Sequence, residues 1–452
     1  MLGKRLELSQ GCPHNDLNVA RIPFRHPSLY ARHYTARFPA MSIKSIKRIK
    51  MSTKKDEDGV NTGRGGSLRR GALVALPPAL PPAAQAEADT SAVTPPPPPG
   101  LILREKEPEN LEFPFSTLSS FVTPSEQFYI RNHFAMPRLD ASAWRLSVEG
   151  AVERPFTLGY DELLRMPART ATATLECAGN SRVFLVPKAS GTQRELGGAG
   201  NAEWTGVPLA ALLDRAGVRA GAVEVIFEGA DSGEISEEPK SPGVIHFARS
   251  LPLAKAWGPQ VLLAHRMNGA ALPPAHGFPV RALVPGWYGM ASVKWLTRIV
   301  VTDRPFQGFF QTLQYSYFQQ RDGLPTLAPI TEAQVKAEIA RPAMHEAVRA
   351  NTAYRMHGAA WTSDSAVTRV EISVDGGRAW AAARLLDAPP AAPGPDAWRL
   401  WEYDWRTPPR PGPCTVMARA TDARGRTQPM ERDPDRLSYM ISHVLPIEVE
   451  VI

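Results

Sequence analysis

The sequence predicts an α+β domain with a mixed sheet over residues 101–330 and an all-β sandwich over 331–452, both behind a tail of residues 1–100. Between 101 and 330, short runs of β-branched and aromatic residues alternate with short amphipathic helical patterns, so strands and helices share one sheet-based core. After 330 the helical period is lost. Brief strands then recur between turn residues, the pattern of an immunoglobulin-like sandwich. The run Pro95–Pro99 is a stiff polyproline spacer and marks the end of the tail.

The tail carries the charge. Residues 1–100 hold 15 Lys+Arg and 7 Asp+Glu, a net of +8; the chain totals of 52 and 45 leave 37 and 38, a net of −1, for 101–452. Basic residues are not interleaved with base-stacking aromatics, which argues against nucleic-acid binding. Residues 1–60 have little periodicity and read as disordered, or as sequence upstream of the true start, with Met41 and Met51 both available as initiators. From Met51 the order is Lys54-Lys55, Ser67-Leu68-Arg69-Arg70, an apolar Gly71–Leu76 run and Ala83-Ala84-Gln85-Ala86. That is the layout of an export signal of twin-arginine type. The expectation is a periplasmic protein exported already folded, with a cytoplasmic one as the alternative. No apolar run is long enough to span a bilayer. The cysteines, Cys12, Cys177 and Cys414, are too few and scattered for a disulfide framework or a zinc site. There is no Cys-x-x-Cys-His for covalent haem attachment.

In the first domain Phe128–Arg131 is a short extended piece, and Trp144–Gly150 alternates apolar with polar as a strand does. Tyr160–Met166 reads as a helix stopped by Pro167. Thr170–Glu176 is a strand, with Thr170, Thr172 and Thr174 alternating with smaller residues. Val207–Ala216 has Pro208 in its first turn, a Leu209/Leu212/Leu213 stripe and Gly217 as a stop, and so reads as an amphipathic helix. Val223–Phe227 is a further strand, ending at Gly229-Ala230-Asp231. No Gly-rich dinucleotide fingerprint follows a strand, which argues against a nicotinamide site. In the second domain Tyr354–Trp361, Val367–Val374, Trp398–Trp405 and Cys414–Ala420 are strand candidates. Asp375-Gly376-Gly377 makes a hairpin turn and Pro408–Pro413 a loop. Trp361, Trp380, Trp398, Trp401 and Trp405 are expected in the core and an interface.

The chemistry concentrates where the Thr170–Glu176 strand ends. Cys177 leaves the sheet, Ala178-Gly179-Asn180 turn the chain, and Arg182 follows. A cysteine so placed beside a cation is suited to be a thiolate ligand or nucleophile, although alone it reads first as a small buried hydrophobe. Other segments accompany it in order: Tyr129-Ile130-Arg131-Asn132-His133 before it, then His276-Gly277-Phe278-Pro279-Val280-Arg281 and Ser292-Val293-Lys294-Trp295-Leu296. Together with Cys177-Ala178-Gly179-Asn180 they resemble the sulfite oxidase family of molybdenum enzymes, from about Phe113 to the C-terminus.

The resemblance implies a sulfite-oxidase-type molybdopterin domain, carrying molybdenum on a single molybdopterin (a pyranopterin dithiolene) with the Cys177 thiolate as metal ligand. Cofactor contacts carry over to Tyr129, Ile130, Arg131, Asn132, His133, Asp231, His276, Arg281, Ser292, Val293 and Lys294. His and Arg suit phosphate oxygens, and Asp suits ring N–H groups. Arg131 and Arg182 would flank the reacting oxygen and hold an anion with their planar forks. The family's active-site tyrosine falls at Tyr315, with Tyr317 two residues on as the alternative. An aromatic cluster packing between domains is the structural reading of Phe309, Phe310, Tyr315, Tyr317 and Phe318.

The implied function is oxidation of sulfite, or a related small substrate, by oxo transfer. With no haem domain in this chain, an external cytochrome c would take the electrons. The C-terminal domain resembles the family's dimerisation domain, so a homodimer is expected. Two departures point to a bulkier, less positive pocket. The further arginine of the animal enzymes falls at Leu437, with Arg436 one place before it, and Gly286-Trp287-Tyr288-Gly289-Met290 is bulkier than its animal counterpart. The alternatives are a reductase running oxo transfer the other way, for example on a sulfoxide, and a non-catalytic partner-binding scaffold.

Overall fold

A computed structural model describes residues 100–389 and 394–452. The paired arginines, both candidate initiators and the Pro95–Pro99 run lie outside the described residues. Among those described, strands dominate more than the α+β reading implied: the longest helix, Leu209–Ala216, has 8 residues.

Two sheets build the N-terminal part. The first runs Phe156–Gly159, Arg145–Gly150, Leu296–Thr302, Glu224–Gly233, Ile245–Pro252. Only the Arg145–Gly150/Leu296–Thr302 pair is parallel, so this sheet is mixed as expected. The second is antiparallel and runs Ala270–Ala271, Leu262–Met267, Ala199–Pro208, Arg169–Glu176, with Arg281–Leu283 also pairing with Leu262–Met267. Leu209, Leu212 and Leu213 pack the helix into a core shared with Leu146, Val148, Val225, Phe227 and Ile299 of the first sheet.

Local chemistry explains where the elements depart from the sequence pattern. Val207 and Pro208 continue a strand instead of opening the helix, because Pro208 sits at φ −56°, ψ 131°, which is extended. The strand expected to stop at Gly229-Ala230-Asp231 runs on to Gly233, since an irregularity between Glu228 and Ser232 absorbs those residues without ending the pairing. Leu262–Met267 is buried almost throughout and therefore shows no alternation to read.

The C-terminal part is two sheets sharing one core. Lys336–Arg341, Ala353–Trp361, Arg399–Arg406 and Arg384–Leu385 form one. Ala347–Val348, Ile447–Val451, Gly412–Asp422, Val367–Ser373 and Ala381–Ala382 form the other. Met356, Trp401 and Trp405 meet Val370, Ile372, Val416 and Val449 between them. Trp361 and Trp398 do not belong to that core. They pack with Phe113, Phe115 and Leu118, the Phe115 and Trp398 rings lying edge-on at 6.4 Å. Trp380 is half-buried, with the Arg419 guanidinium 4.2 Å from its ring centre.

Candidate active site

A cavity lies where the Arg169–Glu176 strand ends, against segments 128–133, 274–281 and 289–295. Tyr129, Arg131, His133, Cys177, Asp231, His276, Arg281, Ser292, Lys294 and Tyr315 line it, with Phe128, Leu175, Phe247, Met290 and Trp295 among its walls. Residues 129, 131 and 133 face the cavity and 130 and 132 do not, the period-two alternation of an extended chain. Ile130 is core, and its carbonyl accepts from Arg194 Nη2 at 2.7 Å. Val293 is also core. Asn132 lies behind the wall, where its Oδ1 accepts from Lys294 Nζ.

At one end is Cys177, buried, with its N–H donating to Gly198 O at 2.7 Å and its carbonyl accepting from Asn180 N–H at 2.8 Å to close the turn. Arg131 shares this end, its Nη1 donating to Asn132 O and, at 3.4 Å, to Asn110 Oδ1. Burial works to lower its pKa, but the acidic groups of Tyr315, Cys177, Glu105 and Tyr439 outweigh it and raise it. Tyr315 Oη is 2.7 Å from His133 Nε2, and the imidazole stacks on Phe247 at 4.4 Å. Burial, then Arg131, Lys294 and Arg249, drives His133 well below its ordinary pKa, so it is neutral; burial raises the Tyr315 phenol, which stays protonated. Tyr317, half-buried opposite Ala328 in a hairpin, is not in the wall.

At the other end three basic groups are tied to main-chain carbonyls. Arg281 donates Nη1 to His276 O at 3.0 Å and Nη2 to Ser292 O at 2.8 Å, and burial lowers it to about 10. Lys294 donates to Ala275 O at 2.9 Å; burial, then Arg281, drives it well below an ordinary lysine. Burial pushes Asp231 up to about 6, with Lys294 opposing. Burial, then Lys294 and Arg281, pulls His276 down to about 3. His276 Nε2 is 3.0 Å from Ser125 O. A carbonyl only accepts, so Nε2 carries the proton and Nδ1 is a bare acceptor. The role expected for His276 at a phosphate oxygen therefore requires Nδ1 to take up a proton.

Arg182 does not join Arg131 at the cavity wall as expected. Its Nε donates to Ser438 O at 3.1 Å and its Nη1 to Thr192 O at 2.7 Å, and the Tyr439 ring centre is 5.2 Å away. Gly179 permits this, since any side chain there would collide with the guanidinium. Arg436 is paired with Asp433 at 3.1 Å, and neither it nor Leu437 lines the cavity. Met290 is in the wall; Trp287 and Tyr288 are not. Sequence reasoning missed Phe247, which nothing marks in the sequence, and a buried ionic cluster behind Cys177. In that cluster Lys336 Nζ lies 3.0 Å from Glu176 Oε1 and 2.9 Å from Glu338 Oε1. Its only sequence trace is charge inside otherwise apolar strands.

The donor set fits a molybdopterin. One soft thiolate stands at one end, cationic donors and a protonatable carboxyl at the other, and Asn132 Nδ2 is buried with no partner among the described residues. Among the described residues no three His, Cys, Asp or Glu side chains gather as a metal-binding group, so a metal at Cys177 must bring its other ligands.

Comparisons with known proteins agree. The family model described as "Oxidoreductase molybdopterin binding domain" matches residues 133–310, and "Mo-co oxidoreductase dimerisation domain" matches 328–442. Sulfite oxidase of Gallus gallus is 35% identical over 370 residues, spanning 77% of each chain. Mitochondrial sulfite oxidase of Homo sapiens is 34% identical over 345 residues, 73% of this chain and 62% of that one. Nitrate reductase [NADH] 1 of Arabidopsis thaliana is 32% identical over 363 residues, 73% of this chain and 38% of that one. Among solved structures, the sulfane dehydrogenase SoxCD of Paracoccus pantotrophus superposes with a TM-score of 0.65 at 28% identity, covering 75% of this chain and 84% of that one. By these matches the chain belongs to the sulfite oxidase family of molybdenum oxidoreductases.

Proposed function

We propose that this enzyme oxidises sulfite, or a related reduced sulfur compound, by oxo transfer, with the molybdenum cofactor seated in the cavity through Cys177. The observation that carries the reading is the convergence of Cys177, Arg131 and the Tyr315–His133 pair on one end of a cavity whose other end holds Arg281, Lys294, His276 and Asp231. When bound, the cofactor supplies two-electron oxygen-atom transfer. The protein does the rest. Arg131 holds the substrate oxygens, the Tyr315 hydroxyl is fixed by His133, and Phe247 and Met290 exclude water. At the far end Arg281 and Lys294 take the phosphate tail, and Asp231 takes ring N–H groups.

A second reading is a less highly charged substrate, such as a sulfane sulfur: Arg131 lines the cavity, whereas Arg182 acts on Tyr315 from outside the lining, and the likeness to SoxCD is in keeping with it. Stopped-flow reduction of the oxidised enzyme separates the two. Sulfite alone bleaching the metal–thiolate band supports the first, and a persulfide alone doing so supports the second. If neither reacts and the reduced enzyme is reoxidised by a sulfoxide, the enzyme is a reductase.

The wider reading is a protein exported folded to the periplasm, in keeping with Arg69-Arg70 and the apolar run after it, and passing electrons to an external cytochrome c. A division near residue 330, with an immunoglobulin-like domain over 331–452 making the homodimer contact, is supported by the pair of sheets and by the dimerisation-domain match.

A further inference from the structure

We infer that Lys336 and Glu338, in the first strand of the C-terminal sheets, are positioning residues for Cys177, so that the thiolate is placed from the far part of the chain. The inference rests on Cys177 being the metal ligand. Loop 176–182 is held from two parts of the chain. From its own part of the chain the loop takes Cys177 N–H to Gly198 O at 2.7 Å, Ser181 N–H to Glu195 O at 2.7 Å, Gly198 N–H to Asn180 Oδ1 at 2.9 Å and Arg182 Nη1 to Thr192 O at 2.7 Å.

The C-terminal part supplies more. Lys336 Nζ donates to Glu176 Oε1 at 3.0 Å and to Ser181 Oγ at 2.9 Å, and Trp361 Nε1 donates to Glu176 Oε2 at 2.9 Å. Glu338 Oε1 accepts from Asn180 Nδ2 at 3.1 Å and from Ser181 Oγ at 2.9 Å. Met440 N–H reaches Ala178 O at 2.8 Å. The side chains of Lys336, Glu176 and Glu338 are 0%, 3% and 1% exposed, so water does not compete. Ser181 sits at φ 68°, a left-handed conformation that a non-glycine residue keeps only where its surroundings over-determine it. Here its hydroxyl is pinned from both sides by Lys336 and Glu338.

A stability device between two parts of a chain would use the same pair, so the test must separate holding the fold from holding the cysteine. The cluster has two carboxyl groups to one ammonium, and Glu338 Oε2 is buried with no hydrogen-bond partner among the described residues. Removing the Glu338 charge therefore leaves a balanced Lys336–Glu176 pair, and Glu338→Gln and Glu338→Ala are the variants expected to fold. The experiment uses the full chain prepared without cofactor. Iodoacetamide labelling of Cys177 is followed by peptide mass spectrometry well below the melting temperature, with Cys414, on a C-terminal strand, as the internal control.

Glu338→Gln keeps an acceptor for Ser181 and is expected to label within about twofold of wild type. Glu338→Ala is expected to label Cys177 roughly tenfold faster with Cys414 unchanged, the signature of local rather than global opening. In the loaded enzyme Glu338→Ala should lower kcat more than it raises KM, with Glu338→Gln restoring it. Ser181→Ala, which deletes no charge, is expected to move labelling in the same direction. Unchanged Cys177 labelling in both alanine variants overturns the inference, as does labelling of Cys177 and Cys414 rising in parallel. If the wild type takes up no molybdenum, the metal reading fails, while the labelling contrast still decides who positions the cysteine.

Discussion

The two ends of the cavity are held by different means. Around Arg281 and Lys294 the anchors are mainly carbonyls of the same stretch of chain, His276 O, Ser292 O and Ala275 O, with one distant side-chain acceptor, Asn132 Oδ1, for Lys294. Around Cys177 the anchors include the side chains of Lys336 and Glu338, 155 to 160 residues from their partners and buried with them. A carbonyl anchor costs little to bury and survives a change elsewhere. A buried ion pair loses its balance if one member is removed. The first end should therefore tolerate change in the C-terminal sheets, and the second should not.

The largest effect that can break this contrast is Lys336→Met, which leaves Glu176 and Glu338 buried without a cation. Its expected cost is roughly 3–5 kcal/mol, read as lost stability in calorimetry of the full chain. An unchanged melting temperature would show that the cysteine end does not depend on the ion pair. Next comes Arg281→Ala, which orphans two carbonyls and should cost about 2 kcal/mol while releasing the cofactor on gel filtration. Retained pterin would remove Arg281 from the phosphate site.

His276 sharpens the comparison through pH. Its folded pKa of about 3 lies below the ordinary value of 6.5. As pH falls from 6.5 towards 3 the unfolded chain takes a proton the folded chain refuses, and stability falls by roughly 1.4 kcal/mol per pH unit. Glu338 and Asp231, pushed up by burial to about 7 and about 6, work the other way. Their contribution is full below their unfolded values and is lost as pH rises through 7 and 6. The raw curve mixes these signs, so the measurement is the difference between wild type and His276→Asn. That difference should shrink steadily from pH 6.5 to pH 4.5; a constant one would mean that His276 is not held neutral. The smallest effect is a pair of phenylalanine variants. Tyr315→Phe should lower kcat/KM by about tenfold and Tyr317→Phe by less than about twofold, the worth of one hydrogen bond. The reverse order would exchange their roles.

How much of this was legible in the sequence follows the same division. The Arg281–Lys294 end was readable because its residues fall in two motifs, His276–Arg281 and Ser292–Leu296, and Arg131 and His133 at the other end because the alternation of 129, 131 and 133 survives in the fold. Cys177 was readable for the same reason. The orientation of Arg182 was not legible because it depends on Thr192 O, Ser438 O and Tyr439, the last two more than 250 residues away, and on the space at Gly179. Lys336 and Glu338 were invisible, since a charged residue in a strand ordinarily faces solvent and only the partner strand shows otherwise. Strands buried on both faces, such as Leu262–Met267, hid for want of alternation. Trp361 and Trp398, expected in the core and an interface, are buried in a separate cluster with Phe113, Phe115 and Leu118.

The most direct test of the account is the molybdenum and pterin content of wild type and Cys177→Ser, with sulfite-dependent reduction of ferricyanide measured on the same samples. The account predicts metal, pterin and turnover in the wild type, and almost complete loss of turnover in Cys177→Ser. A serine variant that binds the metal and oxidises sulfite like the wild type would contradict it.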